Sequence, residues 1–409
     1  LISAAILLAG GGLLHTLVAI RAGSEDFSII AIGFLTSAYY AGFISGCLGT
    51  PFLVKRVGHV RVFAALSSIL AAAALTHVLF INVPVWTVLR GLAGFAFAGL
   101  YMLIESWINE QAPNESRAQV LSIYRMVDLV AVTAGQFMLT LADTDGFVLF
   151  SLVAICICVA IFPISLSTSK APMAVSETSL NLRKLIRVSP LAVTGAFAVG
   201  LSNGSFWGVA PVFVQELGHP VLVVSSFMSI AIFCGALLQF PVGFLSDKVG
   251  RRLMLILMSL GSAGAGLFLW QYAPQSQFML LAGGALYGVF AMQLFGISAA
   301  LANDFAEPHE FVAISGGLLL IYGIGSIFGP VLAPLAMTKA GPSGLFAFTA
   351  IVHILLTVFS LYRRTSFPGA ANPSDYVAVP GPRNIALIMR LDPRIILKKK
   401  KPARPKNQI

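Results

Sequence analysis

GFLSDKVGRR, residues 243–252, sets one acid, three bases and two glycines between two long apolar runs. A polar interruption this short, between segments this hydrophobic, marks a tight turn. The pattern has an earlier copy, PFLVKRVGHVR at 51–61, with Gly58 and Gly250 separated by 192 residues. INE at 108–110 and AND at 302–304 are 194 apart, as are Gly135-Gln136 and Gly329-Pro330. Punctuation that recurs at nearly half the chain length implies two similar halves in tandem.

Of the 409 residues, 57% are hydrophobic and 10% charged, and the mean hydropathy is +0.89. A soluble domain carries about 25% charged residues, so this chain cannot cover a water-facing surface. Apolar segments of roughly 20 residues recur throughout, each long enough to cross a hydrocarbon core. Continuous runs of this kind contradict a membrane β-barrel, whose strands alternate. The fold class expected is an all-α polytopic membrane protein.

Twelve spans are expected, at 1–20, 29–54, 62–81, 84–108, 117–142, 146–167, 190–215, 221–246, 252–272, 277–303, 311–337 and 341–362. They divide into a six-helix bundle at 1–167, a linker loop at 168–189, a second six-helix bundle at 190–362 and a tail at 363–409. Lys55, Arg56, Arg61, Arg117, Lys170, Arg183, Lys184, Arg187, Lys248, Arg251, Arg252 and the tail fall on one side, against Arg21 and Lys339 on the other. The positive-inside rule puts the first group and both termini in the cytoplasm of a cell (inner or plasma) membrane. An even number of spans agrees with that.

The net charge of +10 is a terminal feature. Residues 1–362 hold 15 Lys/Arg against 14 Asp/Glu, whereas 363–409 hold 11 against 2. The Pro-rich, basic tail is expected to be a solvated segment that touches anionic lipid. No recognition module or interleaved aromatics accompany it, so no nucleic-acid partner is expected. The four cysteines all lie in apolar segments and build no disulfide framework; Cys156 and Cys158 point apart on a helix, and no metal site is expected.

These motifs resemble the major facilitator superfamily over residues 1 to about 362. Gly243, Asp247, Gly250, Arg251 and Arg252 match that family's signature loop in the second half. The first-half copy has Pro51 in place of the usual Gly and Lys55 in place of Asp. Arg90 with Gly94 resembles the family's arginine in the fourth helix, and Glu110, Pro113 and Arg117 its acid-x-x-Pro-x-x-x-Arg pattern. GFLTSAYYAGFISGCLGTPFLVKRVG at 33–58, with IES and AGQ, is similar to the bacterial YcaD-type branch. Gln136 follows Gly135 where drug antiporters of the family have Pro, which speaks against that assignment.

The resemblance implies two pseudo-repeated six-helix bundles and a secondary active transporter that moves a small organic solute by alternating access, coupled to protons. Two alternatives stay open: an uncoupled facilitator of the same fold, and a non-transporting membrane receptor or scaffold acting through the tail. In each case the chain is a monomer in the lipid bilayer, not an enzyme, and needs no cofactor.

Ionised side chains within a span cost at least about 2.5–3.5 kcal/mol, so they face a cavity or a partner. Arg90, Gly94, Phe97, Tyr101 and Glu105 fall within about 80° on the fourth helix. Arg125 and Gln136 lie about 20° apart on the fifth, with Asp128 one turn from Arg125. Glu105 and Arg125 sit at similar depth, and Arg90 is roughly 22 Å from Glu105. Asp128, with Glu105 across the interface, is expected to compensate Arg125, and the resemblance puts Arg125 in the central cavity. Either the group handles substrate and proton, or it is a permanent pair that fixes packing. For Arg90 the family reading is proton coupling or cavity shape, and the alternative is snorkelling to the outer interface.

His15 and Trp207 occupy near-equivalent repeat positions and, with Asn203 and Gln293, are further cavity candidates; the competing role for each is interhelical hydrogen bonding. Gln239 and the Tyr39-Tyr40 pair are weaker ones. At the turns, the resemblance implies that Glu110 locks to Arg56 or Arg61, with Lys55, Gly58 and Arg117 around it. Those charges otherwise serve topology alone. GLSNG at 200–204 fits a nucleophile-elbow spacing but falls mid-span, where no strand-turn-helix can form.

Overall fold

The computed structural model describes residues 1–111, 117–166, 182–305 and 311–366. The first half holds α1 (Ile2–Ser24), α2 (Ile29–Val57), α3 (His59–Leu79), α4 (Val83–Gln111), α5 (Arg117–Met138) and α6 (Val148–Ser165). A short α7 (Leu182–Val188) follows. The second half holds α8 (Pro190–Glu216), α9 (Val221–Val249), α10 (Arg251–Tyr272), α11 (Gln277–Ala291), α12 (Leu294–Asn303), α13 (Phe311–Ala340) and α14 (Gly344–Ser366). Among the described residues, 11 segments are long and apolar enough to cross a membrane, α11 and α12 together making one of them. The more polar α5, 22 residues long, packs against α1 and α9 as a further crossing. Phe34, Leu48, Phe52, Met126, Val130, Phe162, Phe240, Phe278, Leu355 and Val358 are exposed on the outside, an apolar girdle suited to lipid.

The turn glycines show why the two polar stretches recur. Gly58 ends α2 at φ +86° and Gly250 ends α9 at φ +92°, a left-handed backbone that side chains with a Cβ rarely adopt. Each reversal starts the next helix at once, at His59 and Arg251. Elsewhere caps are local: Ser28 Oγ accepts from the Ala31 amide and Ser276 Oγ from the Met279 amide, both at 3.2 Å. Within a half, helices approach at small residues. A methyl at Gly94 of α4 would collide with the Tyr39 carbonyl of α2, and one at Gly200 of α8 with the Tyr322 carbonyl of α13.

The halves are joined at the end remote from the signature turns, where α1 finishes and α2 begins. Ser37 Oγ donates to the Ile327 carbonyl at 2.6 Å, Ser225 Oγ to the Gln136 carbonyl at 2.7 Å and Gln215 Nε2 to Ser24 Oγ at 3.3 Å. Gly33 meets the Pro330 carbonyl and Gly208 meets Thr36 in the same region.

Two expectations change. The linker at 168–189 is not wholly a loop: Leu185 of α7 is buried, facing Gly317 of α13, because its apolar face has a partner there. The span expected at 277–303 is interrupted at Met292–Gln293, beside the cavity described next. The tail beyond 366 and its lipid contact lie outside the described residues.

Candidate functional site

Below the joined end, a cavity of about 250 Å³ lies between the halves and is lined by both. From the first half come His15, Tyr39, Tyr40, Phe43, Tyr101, Arg125 and Asp128; from the second, Asn203, Trp207, Gln239, Gln293, Phe295 and Tyr322. The two walls differ in chemistry. Charge is confined to α5, where Arg125 Nη1 and Asp128 Oδ2 pair at 3.3 Å, one helical turn apart. The second-half wall reads with neutral amides. Gln293 Nε2 donates to the Gly235 carbonyl of α9 at 2.6 Å, which fixes the amide beside the interruption between α11 and α12.

Two acceptors of the cavity residues, one from each half, lack a hydrogen-bond partner among the described residues: Asp128 Oδ1 and Asn203 Oδ1. Both residues are more than nine-tenths buried. Buried polar atoms are normally satisfied, so such positions suit a group that is not part of the chain, a water, a proton or a solute.

Arg90 lies beyond the cavity, across a partition of His15, Tyr39, Tyr40 and Trp207, which also line a small chamber of about 10 Å³. Its Nη2 is 3.2 Å from His15 Nδ1, and its guanidinium sits 4.6 Å over the Tyr39 ring. The bond requires Nδ1 to be unprotonated, since the guanidinium is a donor only. With 3% exposure, Arg90 does not snorkel. His15 on α1 supplies an acceptor within reach, and that removes the reason to seek the interface.

Glu105 does not line the cavity. It is 1% exposed and turned into the first half, close enough to Cys47 and Tyr124 to act on them electrostatically. Tyr101, one turn away on the same face, takes the lining position instead. Gln136 is also off the cavity. It accepts from Thr16 Oγ1 at 2.7 Å and donates to the Gly12 carbonyl at 3.1 Å, tying α5 to α1. The helix carries it to the joined end, where no space remains between the halves.

At the signature turns the second half holds a closed charge cluster. Arg251, 4% exposed, pairs with Asp247 at 3.3 Å and with Asp304 at 2.9 Å, and donates to the Ala300 carbonyl. Gly243 is buried and Arg252 half-buried beside this cluster. The expected first-half lock is not formed: Glu110, Arg56 and Arg61 are exposed and no ion pair joins them among the described residues. At Arg251's equivalent stands His59, buried and 5.9 Å from the Trp107 ring, so the central guanidinium is missing from this copy. Exposed Lys55 stands where the second half has Asp247, and the side chain of Arg117 lies outside the described residues. Asp304 was readable only through its repeat relation to Glu110. Phe295 and Tyr322 carried no signal that set them apart from core aromatics.

The sequence profile of the Major Facilitator Superfamily matches this chain twice, over residues 1–234 and 192–403. The chain is 27% identical over 354 residues to YcaD of Escherichia coli O17:K52:H18, an uncharacterized MFS-type transporter, covering 85% of this chain and 90% of that one. Its fold is similar to the nucleoside transporter NupG (TM-score 0.73, 14% identity, 90% of this chain and 98% of that one). It is also similar to a bacterial homolog of the human lysosomal transporter Spinster, inward-facing and occupied (TM-score 0.72, 16% identity, 89% and 95%). A D-xylose-proton symporter matches at TM-score 0.70 and 14% identity, over 90% and 97%. With two tandem matches to one profile and a cavity shared by the corresponding halves, the chain belongs to the Major Facilitator Superfamily: it is a multi-pass membrane transporter and not an enzyme.

Proposed function

We propose that this chain moves a small organic solute across the cell membrane by alternating access, with proton coupling. The observation that carries the reading is the cavity itself: it lies between the halves, both line it, and hydrogen bonds join the halves at one end only among those described. Rocking the halves about that cavity would open the joined end and close the other. The basic turns and termini mark the open end as cytoplasmic, so the conformation is inward-facing. One chain supplies both walls, which suits a monomer. The names of the structural relatives, a nucleoside transporter and a D-xylose-proton symporter, support a small polar solute and agree with a proton as the coupling ion.

Coupling needs a group whose protonation differs between the two states. Asp128 and His15 both line the cavity and qualify. The uncoupled facilitator is favoured by one observation, the Arg125–Asp128 pair, which can serve as a permanent structural pair between neighbouring turns of α5. Proteoliposomes distinguish the two. An inward pH gradient should drive solute above its equilibrium level if coupling holds, and equilibration without accumulation would leave only the facilitator. Deleting 367–409 should leave flux intact; a loss of function there with normal flux would instead favour the tail as the working part.

A further inference from the structure

Resting on the reading of the cavity as the transport site, we propose that its solute is a zwitterion: an aminocarboxylate with an apolar or aromatic body. The charge inventory comes first. Among the described lining residues, Arg125 is the base and Asp128 the acid, and they cancel. His15 adds nothing while its Nδ1 is bonded by Arg90 Nη2. A solute of net charge would enter this half-apolar space uncompensated, whereas a zwitterion brings no excess charge to desolvate.

The pair also has the right local geometry. Its 3.3 Å separation is longer than the roughly 2.7–2.9 Å of a tight charge-assisted bond. Asp128 Oδ1 is buried without a hydrogen-bond partner among the described residues, and a quarter of the Arg125 side chain remains exposed. Two opposite charges side by side on one helix turn are complemented by two opposite charges side by side on the solute, placed in reverse order. In an α-aminocarboxylate the nitrogen and the carboxyl carbon are about 2.5 Å apart by standard bond lengths. The ammonium then takes Asp128 and the carboxylate takes the exposed part of the Arg125 guanidinium.

The opposite wall suits the remainder of the molecule. Trp207, Phe295 and Tyr322 offer apolar faces, and Asn203 Oδ1 is a buried acceptor awaiting a donor from a polar tip. A volume of about 250 Å³ falls just below the roughly 300–1,000 Å³ of sites for drug-sized ligands, so the body is no larger than a single side chain or two.

The test uses the purified full chain and three probes with one skeleton: L-phenylalanine, its N-acetyl derivative (net anion) and its amide (net cation). Binding is read by thermal shift and flux in proteoliposomes, beside an uncharged nucleoside and an uncharged polyol. The zwitterion should stabilise wild type at least tenfold more potently than either derivative. Asp128→Asn should shift the preference at least tenfold towards the N-acetyl anion, and Arg125→Gln towards the amide. Equal response of wild type to all three probes, or to none, overturns the proposal, and this arm does not depend on either variant folding. Flux of the nucleoside or polyol without any response to the zwitterion rejects the class and keeps the transporter. Binding of the zwitterion without flux of any probe keeps the class and rejects the transport reading.

Discussion

Arg90 and His15 show how one bond can tie a protonation state to a shape. The guanidinium donates to Nδ1 and lies over Tyr39, so all three are held together at the partition. Once Nδ1 takes a proton it ceases to be an acceptor, and two cations face each other across 3.2 Å. We therefore expect His15→Gln, which keeps a hydrogen-bonding group and loses the titration, to weaken the pH dependence of flux. A profile unchanged in shape would place the titrating group elsewhere, with Asp128 next in line. Arg90→Lys keeps the charge but loses the planar fork. Flux should fall by about tenfold, equivalent to about 1.4 kcal/mol at the barrier, with thermal stability nearly unchanged.

Among the elements, the test case is the contact between α2 and α4. Backbone comes within touching distance of Gly94, so Gly94→Ala forces the Tyr39 carbonyl aside. Overpacking of this kind costs about 1–3 kcal/mol. Gly264→Ala on α10 is the control, because nothing lies within 4 Å of the added carbon. It should be neutral or stabilise by up to about 1 kcal/mol through helix propensity. Thermal unfolding in detergent compares them directly. The turn between α9 and α10 gives a second test. Arg251→Ala leaves Asp304, whose side chain is 5% exposed, without its cation, and breaking a buried pair from one side costs about 3–5 kcal/mol. Adding Asp304→Asn should recover most of that loss; if it recovers none, Arg251 acts through Asp247 or packing instead.

For the whole molecule, alternating access requires the joined end to separate. Ser24 of α1 and Gln215 of α8 meet there across the two halves at 3.3 Å. Replacing both with cysteine and oxidising should stop flux, and reduction should restore it. Flux that persists through a verified cross-link would mean that this end never parts. The asymmetry of the turns bears on the same motion. Arg251 with two acids makes a rigid corner in the second half, whereas the first half has His59 beside Trp107 and an exposed Glu110. Glu110, Arg56 and Arg61 are exposed, so a change of partner among them in the proposed rocking would carry little energetic cost.

The number and length of the crossings, the pseudo-repeat and the membrane class were determined by the sequence itself. Each rests on local physics: apolar runs of spanning length, and glycines at the positive-φ turns after Val57 and Val249. Depth along a helix was also legible, because rise per residue is constant; that placed Glu105 and Arg125 at similar depth and Arg90 roughly 22 Å from Glu105. Rotation about each helix axis was decided by tertiary packing alone. Glu105 and Tyr101 share a face within about 40°, yet Tyr101 meets the cavity and Glu105 the interior of its own half. Gln136 looked like Arg125's companion on the wheel and instead ties α5 to α1. In a bundle apolar on every side, hydrophobic periodicity cannot say which face is inward. Only the neighbour that a helix meets, and the tilt at which it meets it, selects the side chains that line the solute's path.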